Sequence, residues 1–127
     1  MKQPKKTIAS GKFDKVLSLG HSCDTAFQIR RNFKQGEAYP FDWLMTPYPV
    51  LMELIGRDFS GFLMDENLEA AGKYVVDKKH GISMLHDFED PNLYEWDVDV
   101  VRAKYQRRIK RWLSVVQTDS LLFVRSQ

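Results

Sequence analysis

The apolar run Val16-Leu17-Ser18-Leu19 stops at Gly20, and the residues from Cys23 to Phe33 then follow helical spacing, with Ala26, Ile29, Arg30 and Phe33 sharing a face. A short buried-type strand that breaks at a glycine into a helix is the opening unit of an α/β fold, and nothing else in the chain constrains the architecture as much. A second run of this kind, Leu121-Leu122-Phe123-Val124, lies near the end of the sequence. Before it, Val98, Val101, Tyr105, Ile109, Trp112, Leu113 and Val116 recur at three- and four-residue steps, which predicts a long amphipathic helix from about Asp97 to Gln117. That order of elements predicts a central, mostly parallel sheet with flanking helices. Two such strands make a narrow sheet, so the α/β domain expected over residues 12–127 reads as the N-terminal part of a larger one. Residues 1–11 are basic and lack an apolar core segment, which predicts a disordered leader and not a signal peptide.

Between the two strands the signals are shorter. Ser22 is placed to cap the first helix. Pro40 keeps Tyr39 out of the helical region, and Pro47 or Pro49 opens a helix that runs to about Gly56. Residues 58–64 form an apolar connector, and residues 65–72 read as a weak helix or a loop. Tyr74-Val75-Val76-Asp77 and Ile82-Ser83-Met84-Leu85 bracket Lys78-Lys79-His80-Gly81, predicting a small β-hairpin around 74–85.

Composition narrows the functional classes. Apolar residues at 43% and charged residues at 28% are ordinary for a folded domain. Nineteen basic against seventeen acidic residues leave a net charge of +2, so nucleic acid is not expected as a partner. The single cysteine forms no internal disulfide, which suits a cytoplasmic protein. No run reaches the roughly 20 apolar residues of a membrane span. No cofactor is implied, and Asp77, His80, His86 and Asp87 offer ligand types without a metal-binding spacing.

Cys23 follows the glycine break at the start of a helix. Unpaired N–H groups and a partial positive charge there favour the thiolate, the reactive form of cysteine. The same residue also serves elsewhere as a small buried packing element, and spacing alone leaves both readings open. Asp24 opposes ionisation of the neighbouring thiol. A cysteine nucleophile needs a base. His21 lies too close in sequence to face Cys23, and His80 reads as a solvated turn residue. His86, at the end of a strand, is left as the base by elimination. Asp42, flanked by large rings, and Asp87 are the carboxylates available to orient it, although Asp87 faces away from an adjacent residue on a strand. Asp42 reads equally as an acceptor for N–H groups in its own turn.

Two other readings stand beside the thiol. Ser22, after the first strand, sits where some flavodoxin-like esterases hold a nucleophile, although His21 stands where they carry aspartate. Alternatively, Arg102, Arg108 and Arg125 with Tyr39, Phe41 and Trp43 would form a non-catalytic surface for an anionic or carbohydrate-linked ligand. Arg102 and Arg108 fall within or beside the apolar arc of the long helix and each needs an anionic partner. Lys104, Arg107 and Arg111 group on the opposite, solvated face.

Ser18-Leu19-Gly20-His21-Ser22-Cys23, Pro40-Phe41-Asp42-Trp43, His86-Asp87-Phe88, Tyr105-Gln106-Arg107-Arg108-Ile109 and Leu122-Phe123-Val124-Arg125 resemble, in this order, the motifs of a mostly bacterial domain family of unknown function labelled papain-like cysteine peptidase. The resemblance covers roughly residues 13–125. It implies a thiol-dependent hydrolase with Cys23 as nucleophile, His86 as base and Asp42 or Asp87 as orienting group. Ser22, His21, Trp43, Arg108 and Arg125 are then expected to line the site for a peptide or other acyl substrate. A strand opening directly into the cysteine helix is more typical of an α/β sheet than of papain.

Overall fold

The computed structural model describes residues 13–20, 23–33, 36–84 and 87–125. Strand β1 (Lys15–Ser18) leads into helix α1 (Cys23–Asn32). Strand β2 (Leu44–Met45) precedes helix α2 (Tyr48–Gly56), which carries Pro49 in its first turn. Strands β3 (Leu68–Ala71), β4 (Tyr74–Asp77) and β5 (Ile82–Met84) follow, then helix α3 (Tyr94–Thr118) and strand β6 (Leu121–Val124).

The strands divide between two sheets. β1 and β6 pair in parallel, Lys15 opposite Leu121 through Ser18 opposite Val124. The other four form an antiparallel sheet in the order β2-β5-β4-β3. The expectation of a central, mostly parallel sheet is therefore corrected: the larger sheet is antiparallel, and only the two-stranded ladder is parallel. The hairpin around 74–85 does form, between β4 and β5, but as the middle of this larger sheet. Its neighbour β3, Leu-Glu-Ala-Ala, consists of residues with little strand preference, which is why a weak helix or loop was the expectation there. What makes it a strand is the two-residue connection Gly72-Lys73 to β4. Gly72 has φ 65°, the positive value that tight hairpin loops require at their first central position.

The ladder separates two packing layers. Because alternate residues face opposite ways, Val16 and Leu122 meet Ile29 of α1 and Phe33, the residue just after it, on one side. On the other, Leu17 joins the main core with Phe41, Leu44, Phe59, Tyr105 and Trp112. Edge-to-face contacts tie this core together, with Phe41 and Phe59 at 5.4 and 5.9 Å from Trp112 and Phe62 at 5.4 Å from Tyr105. The connector after α2 contributes Phe59, Phe62 and Leu63, and Phe59 and Leu63 hold the uncommon φ values of 65° and 60°. Each costs on the order of 1–2 kcal/mol in the backbone, of the same size as the gain from burying the side chain.

The β1-to-α1 turn is clasped by its own side chains. Ser18 Oγ accepts the Gly20 N–H at 3.0 Å, and the Thr25 hydroxyl donates to the Gly20 carbonyl at 3.3 Å. Gly20 has φ 79°, and a Cβ there would lie 3.1 Å from the Leu44 carbonyl oxygen and 3.4 Å from that of Phe41. Backbone strain and contact with rigid backbone act together at this position. Gly20→Ala is expected to destabilise the fold by about 1–3 kcal/mol, read as a lowered urea midpoint at unchanged m-value.

Candidate functional site

Helix α1 begins at Cys23, three residues past Gly20. Its backbone thus places the cysteine in the first turn, beside Asp24. His21, Ser22, His86 and the Cys23 side chain lie outside the described residues.

One turn along α1, Phe27 forms a wall of a cleft of about 300 Å³, closed by Trp43, Asp87, Lys104 and Arg108. The aromatic walls meet edge to face, with ring centroids 5.1 Å apart. Arg30, on the same helix as Phe27, holds its guanidinium 5.1 Å from the Trp43 ring. Asp87 is buried and fully engaged: Lys104 Nζ pairs with one oxygen, and the Tyr105 hydroxyl donates to the other at 2.6 Å. Burial, with the Asp87 carboxylate beside it, raises the Tyr105 phenol well above its usual range, so it remains a donor throughout the ordinary pH range. The Arg108 guanidinium sits 5.1 Å from the Tyr105 ring, and its Nη1 is buried with no hydrogen-bond acceptor among the described residues.

Asp42 lies next to Trp43 in the loop before β2. Its Oδ2 accepts the Tyr39 N–H at 3.0 Å, closing the Pro-Phe-Asp turn, and stands 3.9 Å from Arg30. The turn-acceptor reading of Asp42 therefore holds, and Arg30 stands beside the same carboxylate. Burial is the largest influence on its acidity and lifts the carboxyl to about 6, against the Tyr39 N–H and the charges of Arg30, Arg108 and Arg111.

The fold thus gathers Trp43, Asp87 and Arg108 around one cleft and sets Asp42 at its margin. It takes Arg125 elsewhere: its guanidinium donates to the Leu19 and Thr46 carbonyls at 2.9 and 2.8 Å, bracing the end of β1 against the strand after the aromatic loop. Arg125 also borders a separate, largely apolar groove of about 460 Å³ between α1 and β6. Arg102 finds its partners in the Leu63 carbonyl, Asp65 and Asp99, and Tyr39 and Phe41 are core residues. Of the groups expected to form a ligand surface, Arg108 and Trp43 are the two that line this cleft.

Sequence reasoning missed Phe27, Lys104 and Tyr105. Lys104 read as solvated, yet it stands one helical turn before Arg108, a spacing that points both cations the same way. His80 is corrected as well. It is 5% exposed, because Asp77 Oδ1 accepts its N–H at 3.2 Å and Asp77 Oδ2 lies 2.9 Å from Nδ1, folding the ring inward. Among the described residues no group of three or more His, Cys, Asp or Glu side chains is arranged to hold a metal ion, and no helix is long and apolar enough to cross a membrane.

The model of the family described as "Putative papain-like cysteine peptidase (DUF1796)" matches residues 14–127. No curated protein and no solved structure gives a significant match.

The raised Asp42 carboxyl has a consequence for stability. Between the ordinary value of 3.8 and about 6 the folded protein binds more protons than the unfolded chain, so stability falls as pH rises through that window and levels off above it. The loss attributable to this group is about 3 kcal/mol at most. Asp42→Asn keeps an acceptor for the Tyr39 N–H and cannot ionise. Urea titrations from pH 4 to 7 are expected to show this part of the slope in the parent protein and not in the variant.

Proposed function

The chain belongs to the family of that description, and from this premise we propose that it is a thiol-dependent hydrolase of peptides or other acyl compounds, with Cys23 as nucleophile. The observation that carries the reading is the register of α1. Cys23, Phe27 and Arg30 stand at four- and three-residue steps, the spacing of one helical face, and Phe27 lines the charged cleft. The groove by β6 is bordered instead by Asp24, Thr25, Gln28 and Ile29, on other faces of the helix.

The chemistry follows from this position. The helix terminus favours the thiolate over the thiol, against the nearby charge of Asp24. His86, one residue before the cleft residue Asp87, accepts the thiol proton and returns it to the leaving group. The sulfur bonds to the carbonyl carbon while the N–H groups of the first helical turn receive the oxyanion. The bond to the leaving amine or alcohol then breaks, and water hydrolyses the thioester to free the acid and restore the thiol. Asp87 is committed to Lys104 and Tyr105, so Asp42 is the better-suited carboxylate to orient the imidazole.

Iodoacetamide labelling across pH 5–10 tests the premise about the thiol: the expected rate profile has its midpoint well below the ~8.5 of a free cysteine. With dye-linked peptide amides and p-nitrophenyl esters, Cys23→Ala and His86→Ala are each expected to lower turnover by about 10³-fold or more. Activity that survives Cys23→Ala but vanishes in Ser22→Ala would overturn the thiol mechanism in favour of a serine esterase. An ordinary thiol pKa together with no hydrolysis would leave a binding domain.

A further inference from the structure

We infer that the cleft between α1 and α3 is a carboxylate subsite, in which Arg108 receives the side chain of an acidic residue while Phe27 and Trp43 enclose its aliphatic stem. The positive charge around the cleft is not balanced evenly. Lys104 is neutralised by Asp87, and Asp87 has its second oxygen filled by Tyr105. Arg108 has no carboxylate within salt-bridge distance among the described residues, and its Nη1 is buried without an acceptor. Arg108 as a whole is only half-buried and lines the cleft, so its guanidinium is placed to donate charge-assisted hydrogen bonds to a carboxylate that enters there.

Two features select the class of anion. With Lys104 engaged by Asp87, the cleft presents about one unmatched positive charge, which suits a singly charged carboxylate better than a phosphate dianion brought close to Asp87. The two rings form an apolar wall beside the guanidinium, complementary to methylene groups and of no use to a bare ion. At about 300 Å³ the cleft lies at the small end of ligand pockets and suits a side chain more than a whole peptide. That the carboxylate belongs to a hydrolysed substrate rests on the thiol-hydrolase reading; that the cleft binds it does not.

The test uses N-acetylglutamate amide and its neutral isostere N-acetylglutamine amide, with binding followed at the indole N–H resonance of Trp43, one of three tryptophans. The unmodified protein is expected to bind the glutamate probe about tenfold or more tightly than the glutamine probe, the scale of one charge-assisted hydrogen bond. In Arg108→Gln the two probes are expected to become equivalent, and Arg108→Lys is expected to restore part of the preference. The comparison in unmodified protein decides the matter even where Arg108→Gln does not fold. Equal affinities, no saturable shift with either probe, or saturation by inorganic phosphate but not by the glutamate probe would each overturn the assignment. Hydrolysis that depends on Cys23 without a glutamate preference would sink this subsite alone. Glutamate binding in a protein whose Cys23→Ala variant behaves like the parent would sink the hydrolase reading alone.

Discussion

The pairing of β1 with β6 is the contact on which the arrangement depends, because it joins segments 106 residues apart and fixes where α1 starts. Both ends of the ladder are fastened beyond its own hydrogen bonds. At one end the Ser120 N–H donates to Asp14 Oδ2 at 2.8 Å. At the other the Leu19 N–H reaches the Val124 carbonyl at 2.7 Å and Arg125 grips the Leu19 carbonyl. A two-stranded parallel sheet has little stability of its own. Here it is held between α1 on one face and the aromatic core on the other, so its register is set by packing on both sides. The turn at Gly20 carries that register into the helix that begins with the cysteine.

The two carboxylates near the cleft differ in what satisfies them. The Asp87 side chain is buried between two donors, a lysine ammonium and a phenol. Asp42 is buried with one backbone N–H and an arginine at 3.9 Å, which leaves desolvation as the dominant influence on its acidity.

Much of this was legible in the chain, and the reasons for the rest are physical. The first and last strands, α1, α2 and the long helix follow from apolar periodicity and glycine or proline punctuation, because each buries a face wide enough to leave a pattern. The helix was expected from about Asp97 and begins at Tyr94, since Asp90 and the turn at Pro91–Leu93 extend its start. Beyond the β4–β5 hairpin the antiparallel sheet was not legible: β2 has two residues and β3 has no β-branched one, so both become strands only through their partners. Trp43, Asp87 and Arg108 could be nominated from residue type. Their meeting depends on a tertiary approach that no local spacing encodes. Lys104 looked solvated because helical periodicity reports the core-facing stripe and is silent about a neighbouring loop.

Helix α3 supplies both the centre of the molecule and one side of the cleft. Tyr105 and Trp112 fill the core, while Lys104 and Arg108 stand one and three positions from Tyr105 on the same rigid cylinder. Each residue along a helix turns its side chain by about 100°. An adjustment that rotates α3 to repack its rings therefore swings the two cations by the same angle. Hydrocarbon packing and ligand geometry cannot drift independently here; the interior acts as the bearing on which the recognition groups are aligned.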